Sequence, residues 1–261
     1  MMREGFTTVV LYHPSRPLNC LIRVLKSLNQ ATKLYHKVEL VVQGNPKLRL
    51  NLPRSSSFNF DLDVIRKAKN TGVAFPLHES ILRLETTCWA KVDDDIFLHP
   101  ESWDLLLECI REPDTGYNAM AAFISPGKMS PRLFKQQGNK LLLFDGSYKN
   151  LERAGRKWSI CDYTGLGATI VLKEAFDAGI CIDGGYFVAG ENLDFCYQLS
   201  LKGMKMIHMF EPRCRHEQKG CQSPSYAAIR WNRNVIADSA LRFKAKWGLI
   251  NPQLWEAGGL K

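Results

Sequence analysis

The chain has 261 residues, of which 45% are hydrophobic, 10% aromatic and 23% charged, and its formal charge is +9. That is the make-up of one large α/β domain or two small ones. No apolar run is long enough to cross a membrane, and eight cysteines with no visible leader point away from a disulfide framework.

The charge is uneven. Residues 126–157 hold eight Lys/Arg against two Asp/Glu, and residues 202–246 hold ten against three. A basic second half suits an anionic partner, such as a nucleotide, a nucleic acid, an acidic glycan or a membrane surface, or is simply a basic soluble surface. Met1 to Phe6 lead almost directly into a strand, so the expectation is a cytoplasmic chain with reduced thiols.

The β-branched, apolar run Thr7 to Tyr12 predicts a first strand, broken by His13-Pro14-Ser15-Arg16-Pro17. Leu18, Leu21, Ile22, Leu25 and Leu28 recur at helical spacing, with Pro17 at the helix start. Val38 to Val42 predicts a second buried strand, ending at the turn Gln43-Gly44-Asn45-Pro46. Strand–helix–strand opens a parallel, nucleotide-binding α/β sheet, whose ligand lies beyond the strand C-termini. Tyr12, His13, Arg16, Gln43 and Asn45 fall at that edge. GxGxxG and GxxxxGK[ST] are both absent, which argues against a dinucleotide fold and a P-loop.

Residues 45–60 read as a loop, Val64-Ile65 as a short strand, Asn70-Thr71-Gly72 as a turn, and Pro76 to Thr86 as a helix. Trp89, Ala90 and Val92 then form a buried strand that runs into Asp93, Asp94 and Asp95. Three like charges at the end of an apolar strand repel one another. A hard divalent cation would remove the objection, because it takes carboxylates together with substrate phosphates. The alternative is a solvated acidic turn. Trp103, Leu106, Leu107 and Ile110 continue as an amphipathic helix, and Asn118 to Ile124 as a strand.

Residues 125–160 carry little pattern, punctuated by Gly127, Pro131, Gly138 and Gly146, and read as an acceptor-side lid or a solvated insertion. Gly165-Leu166-Gly167-Ala168 is a small-residue turn before a strand ending at Leu172, and its glycines let backbone approach a ligand or pack tightly. Lys173 to Ala178 predicts a short helix, stopped by Gly179. A further helix runs from Asn192 to about Lys202. Glu191 and Asn192 stand at its start as caps, and Glu191 and Asp194 share a face. Lys205 to Met209 predicts a strand leading to His216, which is a metal ligand, a surface histidine or part of a zinc site with Cys214 and Cys221. Residues 224–247 read as the last long helix, and the remainder as a loose tail.

The order of these motifs resembles the GT-A glycosyltransferases, family 2 above all, over most of residues 6–247. The matching features are the first strand and helix, Asn70-Thr71-Gly72 before a helix, Asp93-Asp94-Asp95 as the Asp-x-Asp motif, and Gly165 to Ala168. Glu191-Asn192-Leu193-Asp194 matches the acidic helix start, His216 the histidine after a late strand, and Arg242 to Gly248 the family ending. The resemblance implies one α/β domain with a mixed, mainly parallel central sheet flanked by helices. Residues 1–98 would be the nucleotide-sugar half, 99–250 the acceptor half and 251–261 a tail. It implies transfer of a sugar from a nucleotide sugar, UDP-sugar favoured, to a hydroxyl acceptor such as a glycan. Tyr12, His13, Arg16, Gln43, Asn70, Asp93, Asp94 and Gly167 would face the donor. Asp95, with Asp93 and His216, would hold Mn²⁺ or Mg²⁺. The general base would come from Glu191, Asn192 or Asp194, although the usual base position is here Asn192, an amide. Gln43-Gly44-Asn45 also stands where the family carries acidic residues. The competing readings are transfer to modified bases in DNA, nucleotidyl transfer, and a non-catalytic binding module.

Overall fold

The computed structural model describes residues 2–45, 47–111, 118–123, 132–145, 158–209, 213–217, 228 and 232–261. Gly127, Pro131, Gly146, Cys221 and most of the expected helix start at 224–231 lie outside them.

The first half builds a parallel sheet. Strands β1 (Arg3–Tyr12), β2 (Tyr35–Gln43), β3 (Asp61–Lys67) and β4 (Thr86–Asp93) stand in the order β3-β2-β1-β4 and are mutually parallel. Helices α1 (Leu18–Leu28) and α2 (Ala74–Leu82) supply crossovers. β1 buries both faces, with Phe6 and Val10 in one core and Val9 in the other. This is why it reads as a continuous apolar run with no alternation. The α1 stripe Leu21, Val24, Leu25 and Leu28 is fully buried against the first core.

The helix expected over Pro76–Thr86 ends earlier, at Leu82. Thr86 and Thr87 belong to β4, which pairs with β1 from Arg3 onwards. Two adjacent β-branched residues favour the strand, and the sheet supplies their partners.

The second half completes eight strands. Beyond β4 come β10 (Ala168–Leu172), β6 (Asn118–Phe123), β11 (Lys205–Met209) and β9 (Trp158–Cys161). β10 is antiparallel to β4 and β6, and β9 is antiparallel to β11. Helix α3 (Ser102–Arg111) covers the α1 face, while α4 (Lys173–Asp177) and α5 (Glu191–Leu201) cover the α2 face. The sheet is therefore mixed and mainly parallel, flanked by helices on both faces, in one domain.

Two pairings lie outside the large sheet. Short strand β5 (Ile96–Leu98) pairs antiparallel with β12 (Cys214–His216), placing His216 opposite Ile96. Strands β7 (Arg132–Gln137) and β8 (Lys140–Asp145) form a hairpin inside the stretch read as irregular. Phe134 and Leu141 pack this hairpin on a third cluster with Leu193, Phe243 and Leu249. The tail is ordered as well. Helix α6 (Arg233–Trp247) is followed by α7 (Pro252–Ala257), whose N-cap Asn251 accepts from Leu254 N at 2.9 Å. Among the described residues six cysteines are free thiols, but Cys20 on α1 is disulfide-bonded, which corrects the expectation of reduced thiols throughout. Among the described residues no helix is long and apolar enough to cross a membrane.

Gly72 sits where two loops nearly touch. Its φ is +79°, and a Cβ there would lie 2.1 Å from the carbonyl oxygen of Phe187. Gly138, at the β7–β8 turn, has φ +57° and open space around it. Gly138→Ala should therefore cost only the ~1–2 kcal/mol of left-handed backbone. Gly72→Ala should cost that plus the clash, more than ~3 kcal/mol in all, read by urea unfolding of both variants. Equal losses would refute the close approach.

Buried histidines give a second expectation. His36 and His208 are each lowered to about 4 by burial. Their neutral forms thus stabilise the fold above the ordinary value near 6.5, and this contribution is lost as pH falls towards about 4. Relative to wild type, His208→Gln should lose less melting temperature between pH 6.5 and 5. An identical pH profile for the two proteins would exclude the effect.

Candidate active site

β4 delivers the acidic turn to the C-terminal edge of the sheet. There each carboxylate meets a cation. Lys91 lies two residues before Asp93, on the same face of β4, and its Nζ bonds Asp93 while also donating to Leu166 O at 3.0 Å. The Arg16 guanidinium bridges the other two, with Nη1 at 2.6 Å from Asp94 Oδ1 and Nη2 at 2.6 Å from Asp95 Oδ2. All three of these side chains are 5% exposed. The turn after β1 aims Arg16: its N–H donates to His13 O at 2.9 Å, and the Tyr12 hydroxyl donates to Arg16 O at 2.7 Å. The repulsion that suggested a divalent cation is thus offset by the protein itself.

Asp95 presents its other oxygen to β12. Oδ1 lies 3.2 Å from His216 Nε2. Two ligands at right angles, each ~2.1 Å from one Mg²⁺-sized ion, stand ~3 Å apart. The pair therefore fits a hard divalent cation, with Arg16 orienting the carboxylate from behind. Among the described residues no group of three or more His, Cys, Asp or Glu is placed to hold an ion by itself. Cys221, the other cysteine of the zinc reading, lies outside the described residues, and Cys214 is a core residue. It is buried in the first core, and burial pushes its thiol up to about 12.

Burial pushes Asp94 up to about 8; Arg16 pulls the other way, while Asp95 and Asp93 push with burial. Burial also acts on Asp95, but the His216 hydrogen bond and the Arg16 charge outweigh it and hold that carboxyl below its ordinary range.

A cleft opens beside this turn. Tyr12, His13 and Arg16 line it after β1, Gln43 after β2, Asn70, Gly72 and Val73 from the next turn, and Asp94 from the acidic turn. Six of the eight expected donor residues thus share one cleft. Gln43, however, is already committed. Its Nε2 donates to Gly72 O at 2.8 Å and its Oε1 accepts from Thr71 N at 2.9 Å, so it braces the turn that carries Asn70. Asp93 and Gly167 sit together to one side, joined by Asp93 N to Gly167 O at 2.8 Å. A Cβ at Gly167 would stand 3.2 Å from Asp93 Oδ2, so a small residue belongs there. His13 is half-buried, which lowers its imidazole, and its Nδ1 meets Ser15 Oγ at 2.7 Å.

Phe187 and Val188 close the cleft from the loop before α5. Only the fold brings them there, through Val73 N donating to Phe187 O at 2.6 Å. The loop then passes Ala189 at φ 66° and Gly190 at φ 88° into α5. Ala189 is a non-glycine residue in left-handed backbone, a local strain held by the surrounding contacts.

The three candidates at the α5 start differ in their surroundings. Asp194 is completely buried and saturated. It accepts from Gln198 Nε2 at 2.7 Å, Lys246 Nζ at 2.8 Å and Trp247 Nε1 at 2.7 Å. These bonds tie α5 to α6 through the Asp194 carboxylate. Asn192 is an amide whose buried Oδ1 meets no hydrogen-bond partner among the described residues. Glu191 is 7% exposed at the first position of α5, where the helix N-terminus favours its charge. Glu191 is a carboxylate at the helix start, whereas Asn192 is an amide and Asp194 carries the clamp. Lys91 and Lys246 were missed in the sequence, although the Lys91-x-Asp93 spacing was a readable same-face signal.

No family model matches the chain, and no curated protein matches it either. Solved structures do match. TarS of S. aureus (residues 1–349) superposes with a TM-score of 0.59 at 15% identity, over 97% of this chain and 69% of that one. The mannosyltransferase PcManGT from Pyrobaculum calidifontis, in complex with GDP-Man and Mn²⁺, gives 0.58 at 10% identity, over 98% and 69%. A longer form of TarS gives 0.54 at 14% identity, over 97% of this chain and 42% of its own. Sheet order, flanking helices and these superpositions together show that the chain has the GT-A-type fold of glycosyltransferases.

Proposed function

We propose that this chain is a metal-dependent glycosyltransferase, moving a sugar from a nucleoside-diphosphate sugar, UDP-sugar favoured, to a hydroxyl of an acceptor, a glycan in the first instance. The observation that carries the reading is the Asp95 Oδ1–His216 Nε2 pair, 3.2 Å apart at the edge of the cleft lined by Tyr12, His13, Arg16 and Asn70. Similarity in fold to a mannosyltransferase solved with GDP-Man and Mn²⁺ supports it.

In this reading residues 1–98 form the donor side and 99–250 the acceptor side, with Phe187 and Val188 closing the donor cleft. Asn70 and the backbone after β2 meet the nucleobase, while Asp93 and Gly167 meet the ribose side. Asp95 and His216 would hold Mn²⁺ or Mg²⁺, which when bound supplies Lewis-acid countercharge to the diphosphate. Arg16 faces the same diphosphate. Glu191 takes the proton of the acceptor hydroxyl as the new bond to the anomeric carbon forms and the bond to the diphosphate breaks. A single displacement of this kind would invert the anomeric carbon. Nucleoside diphosphate is the product, whereas nucleotidyl transfer would release pyrophosphate.

UDP or GDP should raise the melting temperature by mass action, and more so with Mn²⁺ than with EDTA. Absence of any shift with every nucleotide tested would refute the reading. Asp95→Ala should lower kcat by roughly 10²–10³-fold, as loss of one preorganised electrostatic contact does. Donor turnover at the wild-type rate would remove Asp95 from the site.

A pair of variants separates the two helix carboxylates. Glu191→Gln should lower kcat roughly 10²–10⁴-fold at an unchanged melting temperature. Asp194→Asn strips the charge from a buried ion pair at a cost of ~3–5 kcal/mol, so its melting temperature should drop by roughly 10 °C. The reverse pattern, a stable but inactive Asp194→Asn, would return Asp194 to the role of base.

A further inference from the structure

Arg16 lines the donor cleft and closes the acidic turn at the same time. Its guanidinium holds Asp94 Oδ1 and Asp95 Oδ2, each at 2.6 Å, while Asp95 Oδ1 is left to His216. Its backbone is fixed at both ends, by His13 O and by the Tyr12 hydroxyl. Lys91 neutralises Asp93. The turn thus sets two cations against three carboxyl groups before any ligand arrives. A guanidinium on one oxygen of Asp95 and a divalent cation on the other are like charges sharing a carboxylate, in a site where burial weakens screening. A diphosphate brings the opposite sign, and Arg is suited to it by its charge and fork of donors.

We propose that Arg16 is a resident counter-ion of the donor site: it competes with the divalent cation for the Asp94–Asp95 pair and gives the cleft an affinity for nucleoside diphosphate that does not require the cation. This rests on the glycosyltransferase reading above. It assigns Arg16 a role distinct from bracing the turn, because a brace helps both ligands, whereas a counter-ion helps one and hinders the other. Metal binding in the absence of nucleotide is held down by Arg16, and donor binding in the absence of metal is held up by it.

The test uses the full chain as wild type, Arg16→Met and Arg16→Lys. Mn²⁺ binding without nucleotide is read from the paramagnetic resonance of the free ion, and UDP and GDP binding in EDTA by calorimetry. Arg16→Met should bind Mn²⁺ at least roughly tenfold tighter and the nucleotides in EDTA at least roughly tenfold weaker, since unit charges a few ångströms apart interact by more than the 1.4 kcal/mol that tenfold represents. Arg16→Lys, which keeps the charge, should stay closer to wild type in both. Weaker Mn²⁺ binding by Arg16→Met, or no change in either ligand, overturns the proposal and leaves Arg16 as a brace. Should Arg16→Met fail to fold by circular dichroism, wild type decides: nucleotide that binds with Mn²⁺ but not in EDTA overturns it. A wild type that binds neither nucleotide under either condition overturns the glycosyltransferase reading itself.

Discussion

Three carboxylates stand in a row where β4 leaves the sheet, and buried cations hold them there. Arg16 spans Asp94 and Asp95, and Lys91 returns along its own strand to Asp93. Ion pairs out of water stabilise little by themselves, since desolvation consumes much of the attraction. What they fix is geometry. With Arg16 on Oδ2, the Asp95 carboxylate can turn only its Oδ1 towards His216. The local charge therefore sets the orientation of the Asp95 carboxylate.

The sheet provides the stage for that turn. Four parallel strands end at the same edge, so the segments after β1 and β2, the turn at Asn70 and the acidic turn converge there. Gln43 shows how the convergence is maintained. It stands where the resembling family carries an acidic residue, and both ends of its amide are used to pin the Thr71–Gly72 backbone. The tight approach of Gly72 to Phe187 then links the donor side to the loop before α5.

The far side of the cleft hangs on a different device. Asp194 gathers Gln198, Lys246 and Trp247 on one buried carboxylate, and Asp183 adds Arg242. These contacts lock α6 to the start of α5 and to the loop that carries Phe187 and Val188. Glu191 is thereby held at the head of a helix that cannot rotate. Of the two acidic residues at this helix start, Asp194 anchors the helix, while Glu191 stands at its first position.

The sequence by itself determined the alternation of strands and helices in the first half, the buried character of β1, β2 and β4, and the residues at their ends. Each of those signals is local: apolar runs, a 3.6-residue stripe on α1, and turn residues at Gln43-Gly44 and Asn70 to Gly72. Tyr12, His13, Arg16, Gln43 and Asn45 could be named as one edge for that reason, and the first four line one cleft. Only the tertiary structure decided what these side chains do there. The β5–β12 pairing that brings His216 to Asp95 joins strands of three residues each, too short to carry a period, across more than a hundred residues. The β7–β8 hairpin was hidden because apolar residues lie on both its faces, Leu133 and Phe144 exposed and Phe134 and Leu141 packed on helices far along the chain, so its strands show no clean alternation. The saturation of Asp194 follows from Lys246 and Trp247, more than fifty residues away. A carboxylate's partner count is set by packing in three dimensions, and spacing along the chain holds no record of it.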